Sequence, residues 1–292
     1  MNLEIDPNAG FCFGVEKAIK AAEKALQKDL PVYSLGHIVH NPGENARLSD
    51  MGLRETTPSQ LQTITGKTVL IRAHGEPPET YEKIKQSGTH LIDATCAVVL
   101  ALQKKIRNTW LNQPENQIVI FGKQDHPEVI GLNGSIQYQA IVISDVQNDL
   151  DKIDFSKPVR LFSQTTQSLE RFEELKINIA NRFREAGLNP EVFLKVENSI
   201  CRQVSNRGPA LRQFASRHDV IVFVSGANSS NGKYLYDIAQ SVNSKTFKIE
   251  NESELQRSWF VSAKSVGVSG ATSTPQWQME KVADAIKSLT GT

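Results

Sequence analysis

Short β-branched runs alternate along this chain with longer amphipathic segments, and polar loops separate the two. That alternation predicts an α/β fold with mostly parallel strands. Thr68-Val-Leu-Ile-Arg72 is a predicted strand, and a helix is expected over Pro78 to Gln86. Gln117-Ile-Val-Ile-Phe121 is another strand, with a helix starting near Pro127. Asp219 to Val224 is a third, followed by a helix through Tyr236 and Ala239. Lys264 to Val268 is a fourth, and Pro275 suits the first turn of the closing helix, where a missing N–H is harmless.

Ligand sites in open parallel sheets lie beyond the carboxyl ends of the strands. Nine loops follow apparent strands. They hold Cys12; His37 and His40; His74; Cys96; His126 with Glu128; Thr165 and Thr166; Cys201; Ser229, Ser230 and Asn231; and Thr272 with Ser273. Almost every residue able to bind metal or phosphate, or to move a proton, therefore falls on one side. His90 and His218 come just before strands and belong to the opposite rim. The same listing shows a weak repetition, three stretches of about 90–100 residues with one cysteine each, a size that suits small α/β units. The expected units span 13–97, 98–194 and 195–292, with 1–12 packed against the centre. Gly187 to Pro190 and Asp151 to Pro158 carry the clearest turn or linker signals.

Composition narrows the function. Hydrophobic residues make up 39% and charged residues 22% of the 292 residues, an ordinary globular balance. Lys plus Arg is 33 against 32 for Asp plus Glu, so there is no basic excess to suggest nucleic acid as a partner. No stretch approaches the roughly 18 apolar residues of a membrane helix, and the first ten residues lack the apolar core of a signal peptide. The 3 cysteines are far apart and odd in number, which argues against a disulfide framework. A reducing cytoplasm is the expected location.

Each candidate has a plain alternative. A lone cysteine is commonly a small buried hydrophobe. Three thiolates converging from three chain segments would instead make a soft site suited to iron–sulfur or zinc with one position open, and the residues alone do not choose between these metals. Loop histidines are commonly surface residues. His40, His74 and His126 share one expected rim, though, and flanking Gly or Pro can aim each imidazole. His37 is the weaker case and suits bracing its loop. Ser229-Ser230-Asn231 and Thr272-Ser273-Thr274-Pro275 read equally as helix caps and as neutral anion-binding donors. Glu128 is either a carboxylate placed well on a helix dipole or a proton donor beside a metal.

These residues recur in a known order. Gly10-Phe-Cys-Phe-Gly14, His37-Ile-Val-His-Asn41, Ala73-His-Gly75, Asp93-Ala-Thr-Cys96, His126-Pro-Glu-Val129, Gln164-Thr-Thr166, Ile200-Cys201, Ser229-Ser-Asn231 and Ala271-Thr-Ser-Thr-Pro275 together resemble the LytB/IspH reductases over nearly the whole chain. The resemblance implies three small α/β units in a pseudo-threefold trefoil around one 4Fe–4S cluster. Cys12, Cys96 and Cys201 would be its ligands, leaving one iron open. It further implies that His40, His74 and His126, with Ser229, Ser230, Asn231 and Ser273, hold a diphosphate. Thr165, Thr166 and Glu128 would face the substrate's hydroxyl end, Glu128 as the acid. The implied reaction is reductive dehydroxylation of 4-hydroxy-3-methylbut-2-enyl diphosphate to isopentenyl and dimethylallyl diphosphates, the last step of the non-mevalonate isoprenoid pathway. A ferredoxin or flavodoxin would supply the electrons.

Four places depart from the family pattern: Ala97, Asp125, Gly232 and Arg202-Gln203-Val204. They bear on loop geometry and remove no candidate ligand. Rival readings are a quinolinate synthase-like cluster enzyme, whose motifs are absent, and an iron–sulfur electron carrier or sensor, which needs no diphosphate loops. A cysteine hydrolase would leave two cysteines idle.

Overall fold

The computed structural model describes residues 1–28 and 31–291. In chain order come β1 (Asn2–Ile5), α1 (Phe13–Leu26), β2 (Val32–Leu35), α2 (Pro42–Asp50), β3 (Leu53–Thr56), β4 (Thr68–Ile71), α3 (Pro78–Ser87) and β5 (His90–Asp93). There follow α4 (Ala97–Asn112), β6 (Gln117–Phe121), α5 (Pro127–Gly134), β7 (Ile141–Ile143), β8 (Val159–Ser163), α6 (Leu169–Glu185), α7 (Pro190–Phe193) and β9 (Leu194–Val196). The chain continues through α8 (Arg202–Ala215), β10 (Val220–Val224), α9 (Ser230–Val242), β11 (Thr246–Ile249) and β12 (Ser265–Gly270) to α10 (Gln276–Thr290). The alternation expected from the sequence is present. Pro275 sits one position earlier than expected, as the N-cap of α10.

The strands form three four-stranded sheets, ordered β3-β2-β4-β5, β7-β6-β8-β9 and β11-β10-β12-β1. One strand order is used three times: second, first, third, fourth. In the last sheet the fourth place is taken by the N-terminal strand, which pairs in parallel with β12 from Asn2↔Ser265 to Ile5↔Val268. The pairs β4·β5, β6·β7, β6·β8, β8·β9, β10·β11 and β10·β12 are parallel as well.

Alternation of side chains across the pleat explains the layering. On the β6·β8 sheet, Val119, Phe121 and Leu161 pack with Phe172, Leu175, Ile179 and Phe183 of α6. Their neighbours Ile118, Ile120 and Phe162 point the other way, to Leu102 and Ile106 of α4 and Val129 and Leu132 of α5. The same division places Val222 and Val268 against Met279, Val282 and Ile286 of α10, and Ile221 and Phe223 against α8 and α9. Strands covered on both faces are apolar throughout, as in the fully buried Val220-Ile-Val-Phe-Val224. Gly267 is demanded by this packing, because a Cβ there would lie 2.6 Å from Phe214 Cε1.

Residue contacts group the chain into two compact units, 1–55 with 202–292 and 56–201. Within the second, α6 is a clean test of the core. Phe172→Ala should destabilise the protein by roughly 3–5 kcal/mol in urea unfolding, the usual cost of emptying a buried aromatic site. Ile177→Ala, on the same helix but 55% exposed, should stay within about 0.5 kcal/mol of wild type. Similar losses from both would contradict the assigned core face.

Candidate active site

Nine of the twelve described strands lead at their carboxyl ends to loops with candidate residues, in a regular way. In each sheet the edge strand β1, β5 or β9 leads to a cysteine: Cys12, Cys96 and Cys201 respectively. Each cysteine opens a helix. Cys12 is the N-cap of α1, Cys96 is the N-cap of α4, and Cys201 immediately precedes α8. Each backbone amide donates to a carbonyl in the loop after the neighbouring strand: Cys12 N to Thr272 O at 3.2 Å, Cys96 N to Ala73 O at 3.0 Å, and Cys201 N to Thr165 O at 2.9 Å. None of the three is in a disulfide, and all are half-buried. Local turns fix the approach. Asp93 Oδ1 accepts from Thr95 N at 2.9 Å, Asn198 Oδ1 from Ile200 N at 3.2 Å, and Arg207 Nη2 donates to Gly10 O at 2.7 Å.

In the unit of residues 56–201 the other candidates surround a buried acid. Glu128 is the second residue of α5 and only 2% exposed. Its Oε1 accepts from Thr165 N at 2.7 Å and its Oε2 from Thr165 Oγ1 at 2.8 Å. Burial pushes its carboxyl up to about 7 against the opposing pull of these two bonds. His126, buried, is the N-cap of α5, and its Nδ1 accepts from Glu128 N at 3.1 Å. That bond assigns the proton of a neutral ring to Nε2. The His74 ring meets it edge to face at 5.2 Å. Gly75, with φ +73, allows the turn that carries His74, and a Cβ there would meet Thr95 Cγ2 at 2.9 Å. Thr166 Oγ1 is held by Gln164 Nε2 at 2.8 Å.

The unit of 1–55 with 202–292 carries neutral donors. Ser229 caps α9, accepting from Gly232 N at 3.0 Å, and its hydroxyl is 3.4 Å from that of Ser273. Asn231 Oδ1 accepts from both Thr272 N (2.9 Å) and Thr272 Oγ1 (2.8 Å), which fixes the amide so that Nδ2 is the outward donor. Among the described residues that Nδ2 is buried without a partner, as is Ser230 Oγ. His40 is positioned through its neighbours: Asn41 caps α2 through Glu44 N at 3.0 Å and donates to Gln278 Oε1 at 2.7 Å. A Cβ on Gly226 would lie 2.6 Å from His40 O, so this loop needs glycine. His37 is exposed and pairs with Glu55, the bracing role. On the opposite rim, His90 is exposed at the start of β5, and buried His218 bonds Phe214 O through Nδ1 at 3.0 Å.

Three departures from the family pattern have local reasons. Ala97 is the first residue of α4, a position where either alanine or proline is well tolerated. Gly232 is closely packed, since a Cβ there would meet Ser225 Oγ at 1.8 Å and Ser225 Cβ at 2.9 Å. Gln203 Oε1 accepts from Phe13 N at 3.1 Å, satisfying an amide at the start of α1. Nothing in the structure explains Asp125, which is exposed. Gln278, Gly226 and Arg207 escaped the sequence reading, and Asn41 entered only as part of the His40 motif, since no local pattern shows what they touch.

Fold and strand-end loops define a parallel α/β protein with three sheets of one topology. A family model described as LytB protein matches residues 4–287, and the chain belongs to this family. A relative from Bacteroides thetaiotaomicron, 4-hydroxy-3-methylbut-2-enyl diphosphate reductase, is 46% identical over 291 residues, covering 99% of each chain. Among solved structures, one described as (E)-4-hydroxy-3-methyl-but-2-enyl diphosphate reductase, the terminal enzyme of the non-mevalonate pathway, is similar with a TM-score of 0.71 and 34% identity. That match covers 99% of this chain and 100% of the other. A reductase structure from Plasmodium falciparum reaches a TM-score of 0.85 at 25% identity, over 98% of this chain and 88% of the other. Among the described residues no helix is long and apolar enough to cross a membrane.

The raised Glu128 carboxyl has a consequence for stability. The folded state holds this proton more tightly than the unfolded chain, so its contribution is fully present below the ordinary value of 4.5 and is lost as pH rises to about 7. Glu128→Gln cannot ionise and should escape that loss. Urea unfolding of the metal-free proteins at several pH values should show the variant gaining on wild type across this window. A constant difference would mean that Glu128 titrates normally.

Proposed function

We propose that this protein reductively removes the hydroxyl of 4-hydroxy-3-methylbut-2-enyl diphosphate, giving isopentenyl and dimethylallyl diphosphates in the non-mevalonate pathway. The observation that carries this reading is Glu128, a buried carboxyl raised to about 7 in a strand-end loop of the unit whose strand ends also lead to Cys96 and Cys201. A reductase named for the same substrate is 46% identical over the full length.

The family implies an iron–sulfur cluster, and the residues fit one. Three thiols occupy equivalent places in three sheets, each at a helix start whose partial positive charge suits an anionic ligand set. Cys12, Cys96 and Cys201 would hold a 4Fe–4S cluster, with segments 13–97, 98–194 and 195–292 as the three units and β1 lent to the last. When bound, a cluster with three cysteine ligands supplies electrons and a Lewis-acidic open iron. A ferredoxin or flavodoxin would be the source of those electrons in a cytoplasmic setting.

The chain's own residues do the rest. Asn231 Nδ2 and Ser230 Oγ, buried and unsatisfied, match an acceptor-rich group such as diphosphate. Ser229, Ser273 and the α9 N-terminus add neutral donors. His40, His74 and His126 contribute imidazole donors to the same group. Thr165, held by both Glu128 oxygens, orients the substrate's hydroxyl end, with Thr166 alongside. Hydroxide is a poor leaving group, so the departing oxygen needs a proton. Glu128 holds one near neutral pH, and Thr165 Oγ1, able both to donate and to accept, lies in its path.

The reading is tested by anaerobic purification with iron and sulfide analysis and electron paramagnetic resonance. Cys→Ser at 12, 96 or 201 should abolish turnover and weaken or destroy the cluster. Glu128→Gln should keep cluster and substrate binding while turnover with a chemical reductant falls by roughly 10²–10⁴-fold, the usual worth of a positioned general acid. Turnover within a few-fold of wild type would move the acid elsewhere.

Substrate affinity separates the two rims. His74→Ala should raise the apparent Kd about 10-fold, equivalent to losing ~1.4 kcal/mol of charged hydrogen bonding. His90→Ala, on the exposed far side, should change it little. Equal effects would remove the basis for a one-sided site.

A further inference from the structure

We propose that Arg207 is the fixed positive charge of the metal centre at its Cys12 corner, a positioning residue that raises the centre's reduction potential without being a ligand or an acid. This rests on the cluster reading given above. Arg207 lies on α8, and its Nη2 bonds Gly10 O at 2.7 Å, two residues before Cys12. The carbonyl it holds belongs to a left-handed glycine, φ +102, that no other residue type would readily replace. The guanidinium thus fastens the turn that delivers the Cys12 thiol.

Its surroundings are unusual for a half-buried arginine. Among the described residues no ion pair includes it, and Nη1 is buried without a hydrogen-bond partner. Asp6, the carboxylate whose charge acts on Arg207, accepts from Asn8 N at 2.9 Å and Ser269 Oγ at 2.8 Å and makes no bond to Nη1. Burial weakens the guanidinium's hold on its proton, and the opposing charges are those of Asp6 and Cys12. Arginine stays charged under such conditions, whereas lysine in its place would keep the charge with a different donor geometry. A cation withdrawn from water calls for an anion. Asp6 supplies one opposing charge without bonding Nη1; the second anion for Nη1 is the thiolate-and-sulfide face that Cys12 would anchor.

The electrostatic consequence has a definite sign. Adding one electron makes the centre more negative, and a nearby fixed cation favours that state. Losing the cation must therefore make reduction harder.

The test uses anaerobically prepared holoprotein, with iron and sulfide counted and the midpoint potential read by spectroelectrochemical titration. Arg207→Gln should keep the cluster and shift the midpoint to a more negative potential, while Arg207→Lys should stay at the wild-type value. An unshifted Arg207→Gln overturns the proposal. So do equal shifts in both variants, which would reduce Arg207 to a clamp on Gly10. If Arg207→Gln folds by circular dichroism yet loses its cluster, Arg207→Lys decides: retention at the wild-type midpoint supports the charge, and loss overturns it. A wild-type protein free of iron and sulfide would sink the proposed function itself before any variant is compared.

Discussion

Each cysteine leaves an edge strand, turns, and enters a helix, and at that turn its backbone amide is tied to a carbonyl of the adjacent loop: Thr272, Ala73 or Thr165. Helix starts leave amides that need partners. Here the tie also sets where the sulfur stands relative to the neighbouring loop, which carries Ser273, His74 or Thr165 itself. A thiol on a free loop would sample many positions. One bonded to the sheet through its own backbone is placed by the same parallel hydrogen bonding that builds the fold. The remaining candidates depend on this tie, because each loop that receives a cysteine amide also carries another candidate: Ser273, His74 or Thr165.

Charge is distributed sparingly across these loops. The candidate donors in the unit of 1–55 with 202–292 are hydroxyls, one amide and a helix start. Neutral donors cost less to bury than cations and leave the local potential low. The other unit buries a single carboxyl, and the low dielectric there pushes it up to about 7. Two Thr165 donors restrain that rise, so the acid sits in a usable range rather than being locked neutral. Thr165 serves three tasks at once: its amide and hydroxyl restrain Glu128, and its carbonyl receives Cys201.

The sequence was most readable where local pattern and tertiary role coincide. Val220 to Val224 is apolar because both sheet faces are covered, and its period therefore announces a buried strand. The loops stood out because small, polar and metal-binding residues cluster only after such runs. Capping chemistry was visible at Ser229, whose hydroxyl does cap α9. His126 was harder, since nothing in His-Pro-Glu shows that the imidazole itself caps α5. Partners distant in sequence were hidden altogether. Gly226 against His40 O and Asn41 with Gln278 arise only once the strands are ordered. Arg207 looks like any polar position on an amphipathic helix until Gly10 is placed beside it.

The place of β1 in the last sheet has a bearing on how the protein is made. Strands β2 to β5, and β6 to β9, come from continuous stretches, so each of those sheets can close while the ribosome is still adding residues. The third joins strands far apart in sequence, because Asn2–Ile5 pairs with Ser265–Val268 of β12. Pairings so remote in sequence form late. The carbonyl of Thr272 that receives the Cys12 amide is synthesised long after Cys12 itself. A nascent chain not yet extended to Thr272 can tie Cys96 and Cys201 into their turns through Ala73 and Thr165, but holds no partner for the Cys12 amide.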